Sequence, residues 1–432
     1  MEGTVAQDVE RMAAHTAGTP FSPESILATG EDMKSFLRAA EKYKIDSLNF
    51  SRMPFESGTF KLLAKHLGEH SGLKELNIRA CNVAPEILSE LLKQVWKSNV
   101  ERLDISQNPF NADEKCTAEL LNLITGGKLK SLKNDFNRMP STFFERLTPL
   151  LKTSGLEELS CQAAGCGYDG AEMGRILPET KLRRLDISLN RSFSQDALIS
   201  IARNLPDSGL EFYAAHGIPL QEQAAIETCK GLKASRITET MLTFGRNGAD
   251  AERRVAEALA DLFRSPETRL EKAVCELPGW DDENRRPVFN ARMGQMQRLA
   301  FREGYRKKTD EGAKRPFNPA LSLAGAFDAG QVPQFLAARK TPLSAGDCLE
   351  RTADGKTFAE NAGKAELLSI VFSEKRWKDA KEMQKVWDAV PAEHRWQLDG
   401  RNGRASFQTI KNKVMSSAVA EMLIKNKGKG LK

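Results

Sequence analysis

Seven cysteines and five histidines are the residues of this sequence best suited to bind a metal or to attack a substrate. Among the histidines, only His66 and His70 share the i, i+4 spacing of one helix face, and no His-Glu-x-x-His motif contains them. The cysteines are scattered and form no Cys-x-x-Cys pair: Cys81, Cys116, Cys161, Cys166, Cys229, Cys275 and Cys348. An odd number of separated cysteines indicates buried thiols in a reducing compartment rather than a disulfide framework or a zinc ribbon. We expect no metal and no cofactor.

Sequence motifs for catalysis are missing as well. The chain contains no GxxxxGK-S/T phosphate loop, no GxSxG nucleophile elbow, no GxGxxG fingerprint after a strand and no HxE motif with a CxxC partner. Cys348, within AGDCLERTADG, is the main candidate for a catalytic nucleophile. We interpret it as an inert thiol packed in a turn. The sequence therefore predicts a protein without enzymatic activity.

A repeated phrase, Leu-x-x-Leu-x-Leu-x-x-Asn, fills the middle of the chain. Its clearest copies begin at Leu73, Val100 and Leu182, and degenerate copies begin at Ile45, Leu129, Leu156 and Leu210. The second apolar position falls at residues 48, 76, 103, 132, 159, 185 and 213. Successive copies are thus 26 to 29 residues apart. Seven copies with so narrow a spacing indicate a repeat array.

Each repeat combines two periodicities. The period-2 part of the phrase predicts a short strand with its leucines facing inward, and the following Asn or Cys can bond backbone groups where the chain turns away. About ten residues later the apolar spacing becomes helical, as in Phe60, Leu63, Ala64 and Leu67. A strand and a full helix in every repeat predict an α/β solenoid.

This pattern resembles the leucine-rich repeats of the ribonuclease-inhibitor type, over residues 44–235. The resemblance implies a horseshoe-shaped solenoid with about 27–28 residues per repeat. The repeats of bacterial ubiquitin ligases are shorter, about 20 residues, with Leu-Pro signatures that are missing here. Residues 1–43 precede the first copy, and the Ser-Pro signal at residues 22–23 predicts a helical cap over the exposed end of the array.

The strand residues between the inward leucines would line the concave face of such a solenoid. Their mixed charge favours a protein partner over a phosphate backbone, which would require a stripe of one sign. Arg102 with Asp104, and Arg184 with Asp186, offer ion pairs along or across strands. A merely solvated face remains the alternative. The residues that we predict to bind the partner are Asn77, Arg79, Arg102, Asp104, Lys133, Glu158, Arg184 and Asp186.

After the last copy, residues 236–315 read as a helical connector with a strongly basic second half. Between residues 285 and 315, ten Lys and Arg face three acids, which gives +7 and leaves −1 for the rest of a chain whose net charge is +6. The run is either a solvated linker or a contact for an anionic partner. Aromatic residues within it are few (Phe289, Phe301 and Tyr305), so nucleic acid is an unlikely partner.

Residues 316–424 predict an all-α domain. The stretch DGKTFAENA at residues 354–362 resembles the opening of an ankyrin repeat, with Phe358 in place of Leu, and a similar stretch surrounds Gly403. The two glycines, Gly355 and Gly403, are 48 residues apart, so this ankyrin-like domain is divergent or carries an insertion. We expect Trp377, Trp387 and Trp396, which lie in that insertion, to be core anchors. The basic tail, residues 425–432, is predicted to be disordered.

Two interaction modules without catalytic motifs predict a non-enzymatic adaptor or modulator. Such chains are similar to effector proteins that bacteria deliver into a host cell. Bacterial leucine-rich-repeat ubiquitin ligases, however, also join repeats to a helical domain, whose nucleophile lies in a Cys-x-Asp motif. Here Glu350 stands where that motif has Asp. A ubiquitin ligase that uses Cys348 is therefore the alternative prediction.

Composition limits where the protein can act. The 432 residues contain no run of 18 apolar residues, so we expect no transmembrane segment. The N-terminus lacks a basic region followed by an apolar one, and a standard signal peptide is therefore not expected. We predict a cytoplasmic protein, which the resemblance to effectors would place in a host cytosol.

Overall fold

The structure is a computed structural model in which the chain divides into two compact units. The repeat unit comprises Met1–Leu262 and Thr268–Val288, and the C-terminal unit comprises Phe263–Glu267 and Phe289–Lys432. The residues that the structure describes are 4–16, 18–24, 27, 29–53, 57–69, 72–126, 128–265, 267–398 and 405–417.

The repeat unit contains a parallel sheet of nine strands in chain order. The first six strands have three residues each, and the middle residue of each is a buried leucine. These six leucines align from β1 to β6. This in-register stacking is what the repeated phrase predicts. The strands are β1 (Ser47–Asn49), β2 (Glu75–Asn77), β3 (Arg102–Asp104), β4 (Ser131–Lys133), β5 (Glu158–Ser160), β6 (Arg184–Asp186), β7 (Phe212–Leu220), β8 (Glu239–Phe244) and β9 (Lys272–Glu276).

Helices alternate with these strands, and the core lies between the sheet and the helices. In α4, for example, Pro85 occupies the first turn and Leu88, Leu91, Leu92 and Val95 form the buried stripe. The helices up to the end of the sheet are α1 (Val5–Ala13), α2 (Gly30–Lys42), α3 (Ser57–Glu69), α4 (Pro85–Lys97), α5 (Glu114–Gly126), α6 (Phe143–Leu151), α7 (Glu172–Ile176), the 3-10 turn η1 (Leu177–Glu179), α8 (Gln195–Asn204), α9 (Glu222–Ala234) and α10 (Ala249–Arg264).

Buried asparagines close the turns after two of the strands. The side-chain amide of Asn108 donates to the carbonyls of Ile78, Ile105 and Ser106, and its oxygen accepts from the backbone N–H of Val83. Asn190 repeats this pattern three repeats further on, after β6, with donors and acceptors in equivalent positions. Each amide thus ties its own repeat to the preceding one.

The sheet extends beyond the last copy of the phrase. β8 and β9 lie within residues 236–315, the segment for which the sequence predicts only helices. Thr240 and Ala273 occupy the inward position that leucine holds in the earlier strands, so the phrase no longer identifies these repeats. The buried hydroxyl of Thr240 is satisfied because it donates to the carbonyl of Tyr213 at 2.8 Å.

The N-terminal residues cover the first edge of the sheet. Phe21 forms a parallel bridge with Leu48, and its backbone N–H donates to the Ser47 carbonyl at 2.9 Å. Both α1 and α2 begin with capping boxes, at Thr4 and Thr29. A helical cap is what the sequence predicts for this end of the array.

The C-terminal unit consists of helices, most of them short. Four aromatic side chains, Phe372, Trp377, Trp387 and Phe407, contact one another at its centre. Its elements are most of α11 (Asp282–Ala313), α12 (Leu323–Asp328), α13 (Val332–Ala338), α14 (Ala345–Leu349), α15 (Phe358–Lys364), α16 (Leu368–Val371), η2 (Glu374–Arg376), α17 (Ala380–Ala389), η3 (Ala392–Leu398) and helical residues 407–417.

Several predictions for this unit stay open. Helix pairs α12–α13 and α15–α16 flank an antiparallel bridge between Arg351 and Thr357, but an ankyrin relationship remains a prediction from the sequence. Trp377 is buried and Trp387 partly so. The side chain of Trp396, the stretch around Gly403 and the tail 425–432 lie outside the described residues.

Candidate functional site

Four of the six short strands, β2, β3, β5 and β6, begin with a charged residue on the open face of the sheet. In this row of first residues, Glu75 aligns with Arg102, and Glu158 aligns with Arg184. Arg102 Nε lies 3.1 Å from Glu75 Oε2, and Arg184 Nε lies 3.7 Å from Glu158 Oε1. Lys133, from the neighbouring row, approaches Glu158 at 3.9 Å. The arginines therefore pair with glutamates of the preceding strands instead of with Asp104 and Asp186.

The third strand residues form a second row whose side chains bond the backbone. The side-chain oxygen of Asn77 accepts the N–H of Arg79 at 2.9 Å. Asp104 and Asp186 accept the N–H two residues further along in the same way, also at 2.9 Å. These short-range bonds fix the end of each strand and orient the second carboxylate oxygen.

Seven of the eight residues that the sequence predicts for partner binding lie at the first or third position of β2–β6, and Arg79 lies two residues beyond β2. The largest exposed fractions are those of the side chains of Arg102, at 52%, and of Lys133 and Arg184, at 45% each. We name this surface the strand face.

Asp135 lies just beyond β4 in the middle of the strand face. Its carboxylate accepts the hydroxyl of Ser160 at 2.6 Å and the backbone N–H of Gln162 at 2.8 Å. Burial raises the pKa of Asp135, and the nearby carboxylates of Asp186 and Asp104 add to this shift. The centre of the strand face is therefore acidic, and it is bordered by a row that contains both signs of charge.

Another set of interacting polar side chains lies on β7, β8 and β9, where the sheet ends. The hydroxyl of Thr243 donates to Glu276 Oε2 at 3.0 Å, and His216 Nδ1 lies 3.5 Å from the same carboxylate oxygen. The backbone N–H of His216 donates to the hydroxyl of Ser188 at 3.1 Å. Thr243 and Glu276 could not be predicted from the sequence, because β8 and β9 do not carry the phrase.

Cys348 has the environment of a structural thiol. Its side chain is fully buried in α14. Burial raises the pKa of Cys348 to about 12, with a further contribution from Asp347. In the part of the chain that the structure describes, no group of three or more His, Cys, Asp or Glu is arranged to hold a metal ion. Within the same ranges, no helix has the length and apolar composition needed to cross a bilayer.

A parallel sheet with a helix behind each short strand defines a leucine-rich-repeat-like fold for the repeat unit. No family model and no curated protein matches this sequence. Among solved structures, the leucine-rich-repeat-containing protein LegL7 from Legionella pneumophila is similar at 16% identity and a TM-score of 0.39. The match covers 67% of this chain and 93% of that one.

Proposed function

We propose that this chain is a non-enzymatic interaction protein that binds a protein partner on the strand face. The observation that carries this proposal is the register of β2–β6, which aligns Arg102, Lys133 and Arg184 with carboxylates on one exposed surface. Alternating charges on a rigid sheet suit a partner that presents charges of both signs, and they give specificity more than raw affinity.

Charge reversal tests this assignment. A partner is first identified by pull-down and mass spectrometry from the lysate of a candidate host cell, and its affinity for the purified full chain is then measured. We expect Arg102→Glu combined with Arg184→Glu to weaken that affinity at least about a hundredfold, because like charges then face the partner. Unchanged affinity would show that the partner binds elsewhere.

Arg183 provides a matched control for this experiment. It precedes Arg184 directly, is 62% exposed and pairs with Glu211, the residue before β7. Arg183→Glu changes the net charge by the same amount per site and should leave the affinity within about threefold, since exposed ion pairs contribute little.

A ubiquitin ligase that uses Cys348 is the competing function. The burial of the thiol and its raised pKa support the non-enzymatic proposal, since the thiolate is the nucleophilic form. Incubation with a ubiquitin-charged conjugating enzyme should give no thioester on this chain. An adduct that forms on the native protein and disappears in Cys348→Ala would establish the ligase instead. A role as a bacterial effector, and delivery into a host cytosol, belong to the proposal through resemblance alone.

A further inference from the structure

A cavity of about 410 Å³ lies in the C-terminal unit against one face of α11. This volume is within the range of about 300–1,000 Å³ that is usual for small-molecule sites. α11 contributes five residues at helical spacing, and the other three come from the end of α15 and the start of η3. The residues that line this cationic cavity are Gly294, Gln297, Arg298, Phe301, Arg302, Lys364, Glu393 and His394.

Positive charge is in excess around the cavity. Arg298, Arg302 and Lys364 are cations, and Glu393 is the one acid in the lining. Glu366 pairs with Arg302 at 2.9 Å from outside the lining and offsets part of that excess. A concave site with an excess of one sign concentrates ligands of the opposite sign.

The cationic groups also disfavour one another. Burial lowers the pKa of His394, and Lys364, Arg302 and Arg298 lower it further, against an opposing contribution from Glu393. Burial, and then Arg302, lower the pKa of Arg298. A bound anion would relieve this repulsion at each of these groups, because it would favour their charged forms.

Packing holds the cavity walls in position. A Cβ added at Gly363 would lie 2.9 Å from the Cβ of His394, so the glycine lets α15 and η3 approach closely. The side-chain amide of Gln397 donates to the Gly363 carbonyl at 2.7 Å across the same contact. On α11, the guanidinium of Arg298 donates to the carbonyl of Phe263. The site is therefore formed before any ligand binds.

We propose that the cationic cavity binds the phosphate monoester group of a small organic ligand. Two guanidinium groups one helical turn apart and an ammonium group suit a phosphate, which has three acceptor oxygens and a charge near −2. The ring of Phe301, with Lys364 Nζ 5.8 Å from its centroid, provides an apolar wall for the organic part. This site lies in the C-terminal unit and does not depend on the strand face.

Titration calorimetry of the full chain with phenyl phosphate tests the proposal. We expect saturable binding with one site per chain. Arg302→Gln and Lys364→Gln should each weaken it at least about tenfold, because each removes a charged hydrogen-bond donor. Lys364→Arg keeps the charge and should stay within about threefold of the native chain. Absence of saturable binding would overturn the proposal.

Lys307 supplies the control for charge alone. It lies nine residues after Arg298, on the opposite face of α11, and is 71% exposed. Lys307→Gln should leave the binding of phenyl phosphate unchanged. An equal loss in Lys307→Gln and Lys364→Gln would mean that only the general charge of the unit matters, which also overturns the proposal.

A steric variant separates the cavity from its charges. Gly294→Leu fills space in the cavity, keeps every cation and places a better helix former in α11. It should weaken phenyl phosphate at least about tenfold while inorganic phosphate is affected less. Tight binding of phenyl phosphate to a folded Gly294→Leu variant would place the ligand elsewhere and contradict the assignment.

Phosphate monoesters occur both on soluble molecules and on lipids. Cosedimentation with phosphatidylcholine vesicles that contain phosphatidic acid distinguishes the two sources. Sedimentation that Lys364→Gln abolishes supports a lipid headgroup, and binding of phenyl phosphate without sedimentation supports a soluble ligand. Sedimentation that is insensitive to Lys364→Gln, without binding of phenyl phosphate, would overturn the site.

Discussion

The repeat unit and the C-terminal unit bury their apolar side chains in different ways. In the repeat unit, equivalent bonds recur: the amides of Asn108 and Asn190 each hold their own repeat to the one before. In the C-terminal unit, the ring of Phe372 lies 5.5 Å from those of Trp387 and Phe407, and these side chains come from separate elements. A recurring bond distributes stability along the chain, whereas a single cluster concentrates it.

The largest expected effect is in the aromatic cluster. Phe372→Ala should cost about 3–5 kcal/mol of unfolding free energy, because the ring is fully buried among three other aromatic side chains. Hydrogen exchange should show lost protection throughout α12–α17 and unchanged protection in β1–β9. As a control, Phe289→Ala removes a ring that is 64% exposed and should cost less than about 1 kcal/mol. Loss of protection across both units would contradict the proposal that the aromatic cluster stabilises the C-terminal unit alone.

A smaller and more local effect is expected in the array. Asn108→Ala leaves the N–H of Val83 and a set of buried carbonyls without their partner, which should cost roughly 2–4 kcal/mol. Urea denaturation measures the total loss of unfolding free energy, and hydrogen exchange should show that protection is lost in β2–β4. Asn122→Ala, at an exposed position of α5, is the matched control and should be nearly neutral. An effect that spreads evenly from β1 to β9 would contradict nearest-neighbour coupling.

Helix caps should matter more in the C-terminal unit. Thr357 begins the seven-residue α15 with a reciprocal bond to Glu360, whereas Ser194 begins the ten-residue α8 with a single bond to the N–H of Ala197. We expect Thr357→Ala to cost about 1–2 kcal/mol and Ser194→Ala about 0.5–1 kcal/mol. Thermal unfolding of both variants checks this order. Equal costs would mean that neither the reciprocal bond nor the shorter helix makes the cap of α15 more important.

The smallest effect is a difference in pH dependence. Bonds from Thr357 lower the pKa of Glu360, so this carboxylate stabilises the fold above its ordinary pKa, and the contribution is lost as the pH falls through its lowered pKa. Burial raises the pKa of Asp135, so its contribution is present below its ordinary pKa and is lost as the pH rises. For the partly exposed Glu360 the change is on the order of tenths of a kcal/mol.

Urea denaturation at pH 7 and pH 3.5 separates these two carboxyl groups. Relative to Glu360→Gln, the native chain should gain stability at the higher pH. Relative to Asp135→Asn, it should lose stability at the higher pH. The same sign for both variants would show that the surroundings of the two groups do not differ as the structure indicates.

The sequence predicted the repeat unit well where leucine marks the strands. Leu76, Leu103 and Leu185 align as their spacing requires. β8 and β9 escaped prediction because Thr240 and Ala273 fill the inward position, and a buried hydroxyl can replace leucine only when a carbonyl accepts it. That acceptor, on Tyr213, comes from a neighbouring strand and is visible only in the fold.

The cationic cavity was only partly visible in the sequence. The basic run at 285–315 suggested an anionic partner, and Arg298 with Arg302 has the i, i+4 spacing of one helix face. The sequence could not predict that Lys364 and His394 line the same cavity, because nothing in it relates these residues to α11. Their approach depends on packing, including the close contact that Gly363 permits.

The in-register alignment of β1–β6 has a consequence for how such a chain can change over generations. Each of these strands meets its neighbour through the same three positions, with leucine always in the middle. Duplication or deletion of one whole repeat in frame would therefore join two surfaces that already fit. Recombination can therefore change the number of repeats without requiring a new kind of contact between them. The length of the strand face changes with that number.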